Sequence, residues 1–196
     1  MKTLALIGVL SSFLISSNDT WDFEKQVDGI NAYSRIKQGT NYYEFRTTFT
    51  VKSDLNSVVK LITNVANFQN WLPNTKKSQV LNRINATTLY GYTVTETTWP
   101  LSDRDLVFKM TQKKIGDNKY QIKLEGDEKY KPEQKGKVRV KDYHAVWELK
   151  KTSTGVFIDY TASFDPDSST PNWMIKNSMV SARIEVCKAL KKEIAK

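Results

Sequence analysis

The chain has 196 residues, 39% of them apolar, with 30 Lys and Arg against 21 Asp and Glu and a single cysteine. That length suits one domain burying about 70% of its unfolded surface, and one cysteine excludes an internal disulfide. The formal charge of +9 points to an anionic membrane surface or to plain solubility rather than to nucleic acid, because the basic residues do not cluster on one helix and most aromatics fall where strands need core.

The N-terminus reads as a secretory signal. Met1-Lys2 is a short positive start, Leu4 to Ile15 is mostly apolar, and Ser16-Ser17 are small residues suited to cleavage. Residues 1–17 are thus expected to be removed and 18–196 to form an exported domain, periplasmic or secreted. The apolar stretch falls short of the roughly 20 residues a spanning helix needs; the alternative is a hydrophobic N-terminal helix kept in the fold.

Two strands follow, Ile30 to Ile36 and Tyr42 to Val51. In the second, Tyr43, Phe45, Thr47, Phe49 and Val51 share one face, the period-two signature of a half-buried antiparallel strand. Asp54 then stands as a helix N-cap before Leu55, Val58, Val59, Leu61 and Ile62 at helical spacing. A short second helix runs over Asn67 to Leu72, ended by Pro73. From Ser78 to Phe164 strand patterns return, with Leu106, Phe108 and Met110 on one face, then Tyr120, Ile122 and Leu124, then Trp147 and Leu149, then Val156, Ile158, Tyr160, Ala162 and Phe164. Gly116-Asp117-Asn118 and Ser153-Thr154-Gly155 are hairpin-type connections, and Asp142-Tyr143-His144 reads as a turn. One long helix closes the chain from Pro171 to Ile194. Its stripe of Ile175, Met179, Val180, Ile184, Cys187, Leu190 and Ile194 needs a large apolar partner, which a curved antiparallel sheet supplies. Cys187, within that stripe, is expected to be a buried structural thiol.

Several segments in this order carry a resemblance. Trp99-Pro100-Leu101-Ser102-Asp103-Arg104-Asp105-Leu106-Val107 precedes a strand, and Phe164-Asp165-Pro166-Asp167 leads into Pro171-Asn172-Trp173 at the last helix. Pro132-Glu133-Gln134-Lys135-Gly136 with Val138-Arg139, then Trp147-Glu148-Leu149 and Gly155 to Tyr160, fall between them. Together they resemble the START family, the lipid-transfer domains related to steroidogenic acute regulatory protein, over about Asp28 to Lys192, in an exported bacterial-type form. The resemblance implies an α+β helix-grip fold, a curved antiparallel sheet wrapped around a long C-terminal helix. It also implies one lipid or other hydrophobic small molecule held in a tunnel between them, and transfer of that ligand during transient contact with an anionic membrane surface by a monomer.

On that basis the ligand-binding wall is expected from Phe68, Trp71, Leu72, Gly91, Thr93, Leu106, Phe108, Met110, Tyr120, Trp147, Tyr160, Ile175 and Met179, with Trp99, Pro100, Leu101 and Arg104 as a lid. Ordinary core packing is the competing reading for each wall residue, and a structural pairing of Arg104 with Asp105 or a backbone carbonyl the competing one for the arginine. Some sterol-binding members place an acid and an arginine where Gly91 and Met110 stand here. Their absence implies a neutral or zwitterionic acyl lipid, with Gly91 widening the tunnel. The alternative function is a cyclase-like enzyme of the same superfamily. His144 faces solvent in this reading, Glu96 and Asp159 alternate outward, and no metal-ligand cluster, phosphate loop or nucleophile elbow is present in the sequence, so no catalytic residue, cofactor or metal is expected.

Overall fold

The structure, a computed structural model, describes residues 20–97, 102–166 and 172–196, with the side chains of 172–174 excepted. In chain order the elements are β1 (Asp22–Val27), β2 (Ile30–Ile36), β3 (Tyr43–Val51), α1 (Leu55–Thr63), a 3-10 turn (Val65–Asn67), α2 (Phe68–Trp71), β4 (Thr75–Asn85), β5 (Thr88–Thr95), β6 (Asp103–Lys114), β7 (Lys119–Gly126), β8 (Lys137–Arg139), β9 (Lys141–Thr152), β10 (Gly155–Asp165) and α3 (Asn172–Ile194).

The strands form one curved, unclosed sheet in the order β1-β2-β3-β10-β9-β7-β6-β5-β4, antiparallel throughout that path. The short β8 adds in parallel to the start of β6. This is the α+β helix-grip architecture that the resemblance implies. Some antiparallel neighbours, β1 with β2 and β9 with β10 among them, are joined by tight turns whose chemistry is local. Asp28 and Gly29, between β1 and β2, both have positive φ (52° and 73°), which is the twist a two-residue hairpin requires. Gly155 after the β9 turn is obligatory for another reason: a Cβ there would lie 2.0 Å from the Val51 carbonyl oxygen.

Two edge strands carry weak patterns. β1 has Phe23 60% exposed, its ring edge-on to Tyr33 at 5.6 Å. β4 begins Thr75-Lys76-Lys77 and is exposed over most of its length, the lysine-bearing kind of edge that discourages pairing with another chain. The Asp142-Tyr143-His144 segment is not a turn: it opens β9, with Asp142 alone at positive φ (45°). That single left-handed residue is the local irregularity that resembles a turn in sequence.

α1 starts where Asp54 accepts from the Ser57 amide (3.0 Å) and hydroxyl (2.6 Å), a side-chain cap worth about 1 kcal/mol. It buries Leu55, Val58 and Ile62. α3 crosses the concave face of the sheet and divides its contacts. Val180, Ile184, Cys187 and Leu190 are buried in the core that includes Ile30, Ala32, Phe45 and Phe49 of β2 and β3. Lysines of both elements tie it to β1 and the turn after it. Lys176 pairs with Glu24 at 2.6 Å, Lys25 donates to Ser181 Oγ at 3.2 Å, and Lys191 donates to the Asp28 carbonyl at 2.6 Å. On the convex face a smaller core of Tyr92, Val94 and Val107 is buried separately.

Candidate functional site

Towards the β5, β6 and β9 side of the sheet, α3 no longer packs directly on the strands. A cavity of about 510 Å³ lies between them, within the range of roughly 300–1,000 Å³ typical of a site for one small molecule. α1 supplies Ile62, and α2 with the turn after it supplies Phe68, Trp71, Leu72 and Pro73. The sheet gives Thr93 and Thr95 of β5, Arg104, Leu106 and Phe108 of β6, Leu124 of β7, Trp147 of β9 and Tyr160 of β10. Met179, Ala182, Arg183 and Val186 of α3 form the opposite wall.

Register explains which strand residues arrive there. β5 and β6 pair Gly91 with Phe108, Thr93 with Leu106 and Thr95 with Arg104, and directly opposed residues share a face. Of the residues expected on the wall, Phe68, Trp71, Leu72, Thr93, Leu106, Phe108, Trp147, Tyr160 and Met179 line the cavity. Gly91, Met110, Tyr120 and Ile175 do not. A Cβ on Gly91 would come within 2.4 Å of the Phe108 ring, so Phe108 occupies the space the glycine leaves, and the tunnel is not widened there. Met110, opposite Leu89 and Leu124, is buried in the main core. Tyr120 turns its hydroxyl to Gln112 Oε1 at 2.9 Å, and Ile175 is half-buried near the start of α3.

The lid residues Trp99, Pro100 and Leu101 lie outside the described residues. Arg104 belongs to strand β6 rather than to a loop. It also borders a second hollow of about 210 Å³ with Glu133, Lys137 and Asp165, which puts it at the cavity's edge. Asp105 points to the other face and takes a different arginine. Arg139 donates to it from Nε (2.8 Å) and Nη2 (3.0 Å), and the Tyr92 hydroxyl does so at 3.2 Å. Arg139 also donates to the carbonyls of Glu128, Lys131 and Pro132 at 2.7–3.2 Å. Both side chains are almost wholly buried (1% and 2% exposed), so this pair fastens the segment before β8 onto the sheet. Its hydrogen bonding to Asp105 holds the Arg139 pKa above its ordinary value. Burial, with the Asp105 charge, pushes the Tyr92 phenol up to about 12.

The wall contains two groups that no sequence pattern singled out. Tyr143, hidden in the apparent turn, is an inward residue of β9. Burial first, and then Tyr160 beside it, push its phenol above the usual range. Arg183 comes from α3. Met179, Ala182, Arg183 and Val186 fall at i, i+3, i+4 and i+7, a second helical stripe beside the one that packs the core. Arg183 Nη1 donates to the Tyr160 hydroxyl at 3.3 Å, and its guanidinium lies 5.9 Å from the rings of Tyr160 and Phe164. Tyr160 is held by stacking on Trp147, centroids 3.8 Å apart and 11° from parallel. Gly91 and Met110 bring no charge to the tunnel, and Arg183 brings one from α3.

Carboxylates considered for acid–base work face elsewhere. Asp159 accepts from Arg46 Nε at 2.8 Å and Glu96 pairs with Lys76 at 3.0 Å. His144 is exposed beside Asp142. Among the described residues no three His, Cys, Asp or Glu side chains are grouped to hold a metal ion, and no helix is long and apolar enough to cross a membrane.

The comparisons with known proteins agree with this geometry. The family model described as START domain matches residues 9–195. A STAR-related lipid transfer protein fragment from Xanthomonas axonopodis superposes with a TM-score of 0.83 at 30% identity, covering 91% of this chain and all of that one. Human StAR-related lipid transfer protein 5 gives a TM-score of 0.82 at 16% identity over 92% of this chain and 88% of its own, a likeness of fold. An uncharacterized protein of Pseudomonas aeruginosa is 27% identical over 188 residues, 95% of this chain and 91% of that protein.

Proposed function

The chain belongs to the START domain family, a hydrophobic ligand-binding family, and we propose that it is a carrier that holds one lipid in the cavity beneath α3 and exchanges it with membranes. The observation carrying this reading is the cavity itself: about 510 Å³ walled by aromatic and aliphatic side chains from the sheet on one side and α3 on the other. Most of the wall's surface is apolar, so an apolar body gains by leaving water, and the polar groups set into it can orient a head. The excess positive charge of the chain favours exchange at anionic bilayers over neutral ones.

A carrier needs no chemistry at its ligand, and the cavity's titratable groups suit that. Arginine stays charged and the Tyr143 phenol stays protonated at neutral pH. Glu185, the one carboxylate bordering the cavity among the described residues, pairs with Lys188 at 3.2 Å. A catalyst working near pH 7 wants a group titrating there. We further propose that residues 1–17 direct export, which intact-mass measurement on protein from its own host tests; a soluble cytoplasmic form retaining Met1 would contradict it.

The test of the carrier reading is uptake of a fluorescent acyl-lipid probe and its transfer between vesicles. One probe per chain should bind, and Met179→Trp, which fills the cavity from α3, should abolish binding while the protein stays folded. Binding unaffected by that plug would place the ligand elsewhere and overturn the reading.

A further inference from the structure

A guanidinium in an apolar cavity is costly unless its charge is matched. Elsewhere in this protein arginines meet acids with one edge. Arg139 grips Asp105 through Nε and Nη2, and Arg46 grips Asp159 the same way. In Arg183 that edge is not engaged. Among the described residues its one hydrogen bond leaves from Nη1 to the Tyr160 hydroxyl, and its Nε–H is buried without a partner. Trp71 Nε1, another donor belonging to the cavity wall, is likewise buried without a partner. Both groups can only donate, so each wants an acceptor that the surrounding wall does not bring to it, and beside an arginine the matching acceptor is an anion.

We propose that the ligand carries an anionic head, a carboxylate or a phosphate, received by the free edge of Arg183, with the apolar body lying along Leu106, Phe108 and Met179. The Tyr160 hydroxyl already fixes Nη1, and Tyr160 is itself immobilised on Trp147, so the guanidinium is held in place before the ligand arrives. Arg183 thus selects among lipids by head charge. The proposal rests on the carrier reading above and adds the chemical class of what is carried.

Displacement of a neutral fluorescent acyl probe tests it with four competitors: a long-chain fatty acid, a lysophosphatidic acid, a monoacylglycerol, and inorganic phosphate alone. Wild type should bind the fatty acid or the lysophosphatidic acid at least about tenfold more tightly than the monoacylglycerol, the worth of a charge-assisted hydrogen bond. Arg183→Met should erase that preference while still binding the monoacylglycerol. The variant is expected to fold, because replacing a buried charge by an apolar side chain of similar volume is often neutral or stabilising, and its melting curve checks this. Whichever acid wins identifies the head as carboxylate or phosphate. Equal affinity of wild type for acid and monoacylglycerol overturns the proposal and leaves the carrier intact, a result that does not need the variant. An acid preference surviving in Arg183→Met also overturns it. Displacement by inorganic phosphate as effective as by the amphiphiles would make the site one for a free anion and overturn it too. Failure of every acyl compound to bind overturns the carrier reading itself.

Discussion

Gly91 and Phe108 share one space, and the consequence can be measured. Adding the Cβ of Gly91→Ala puts a carbon 2.4 Å from the Phe108 ring, so the ring must turn toward the cavity or the strands must part. Overpacking of this kind costs typically 1–3 kcal/mol. Melting should show that loss, and acyl probes should bind more weakly than to wild type; unchanged stability and binding would mean the ring has free room. Cys187 gives a second residue-level outcome. It is fully buried against Thr47 Oγ1 at 3.1 Å, and burial pushes its thiol up to about 12. A thiol reagent at pH 8 should leave it unmodified in the folded protein and label it once denatured; rapid labelling of native protein would contradict its placement. Strand periodicity makes Leu106, Phe108, Trp147 and Tyr160 readable as inward residues, while Thr93 comes only from the family resemblance. Gly91 was misread because the ring that fills its place sits on the neighbouring strand, and no single-strand pattern reveals a cross-strand partner. Tyr143 was hidden by a positive-φ neighbour. Arg183 was hidden because a charge amid a stripe of small and apolar residues counts as a break in the stripe.

At the level of elements, the hydrophobic periods predicted β2, β3 and the last helix closely, and the Asp54 cap marked the start of α1. β1 carries no strand pattern in the sequence, and β4 lies mostly within the strand region from Ser78 but shows no clear face of its own, because edge strands need bury only part of one face and so carry little alternation. The partners of the α3 lysines were equally invisible. Lys176 is bound to Glu24, which also accepts from Ser34 Oγ at 2.6 Å. Burial alone would raise the Glu24 pKa, but hydrogen bonds from Lys176 and Ser34 and the Lys176 charge outweigh it, so the net shift is downward from 4.5. The folded carboxylate is therefore the stronger acid. Its contribution is complete above the unfolded value and is lost as pH falls through the lower folded one. Glu24→Gln should cost roughly 1 kcal/mol at pH 7, with the gap to wild type closing below pH 4.5; a gap that persists in acid would mean the pair's charge is not what matters. The Asp105–Arg139 pair is a stronger case. Arg139→Met strands a buried carboxylate and should lower stability by about 3–5 kcal/mol in denaturant unfolding. Replacing both partners by apolar residues should recover much of the loss, which a purely steric defect would not.

At the scale of the whole molecule, one helix serves two surfaces at once. The stripe from Val180 to Leu190 holds α3 to β2 and β3, while the adjacent stripe from Met179 to Val186 leaves it standing off β5, β6 and β9 as the wall of the cavity. In the proposed carrier the packed half anchors the helix, the open half makes the container, and Arg183 on that open half would give it its preference. Native mass spectrometry of the protein purified from its own host, followed by extraction and identification of what it carries, tests this account most directly. The account predicts a one-to-one complex with an amphiphile bearing an acidic head, lost in Met179→Trp. Protein that emerges without any ligand and takes up no acyl compound when offered, or that carries its ligand unchanged in Met179→Trp, would contradict it.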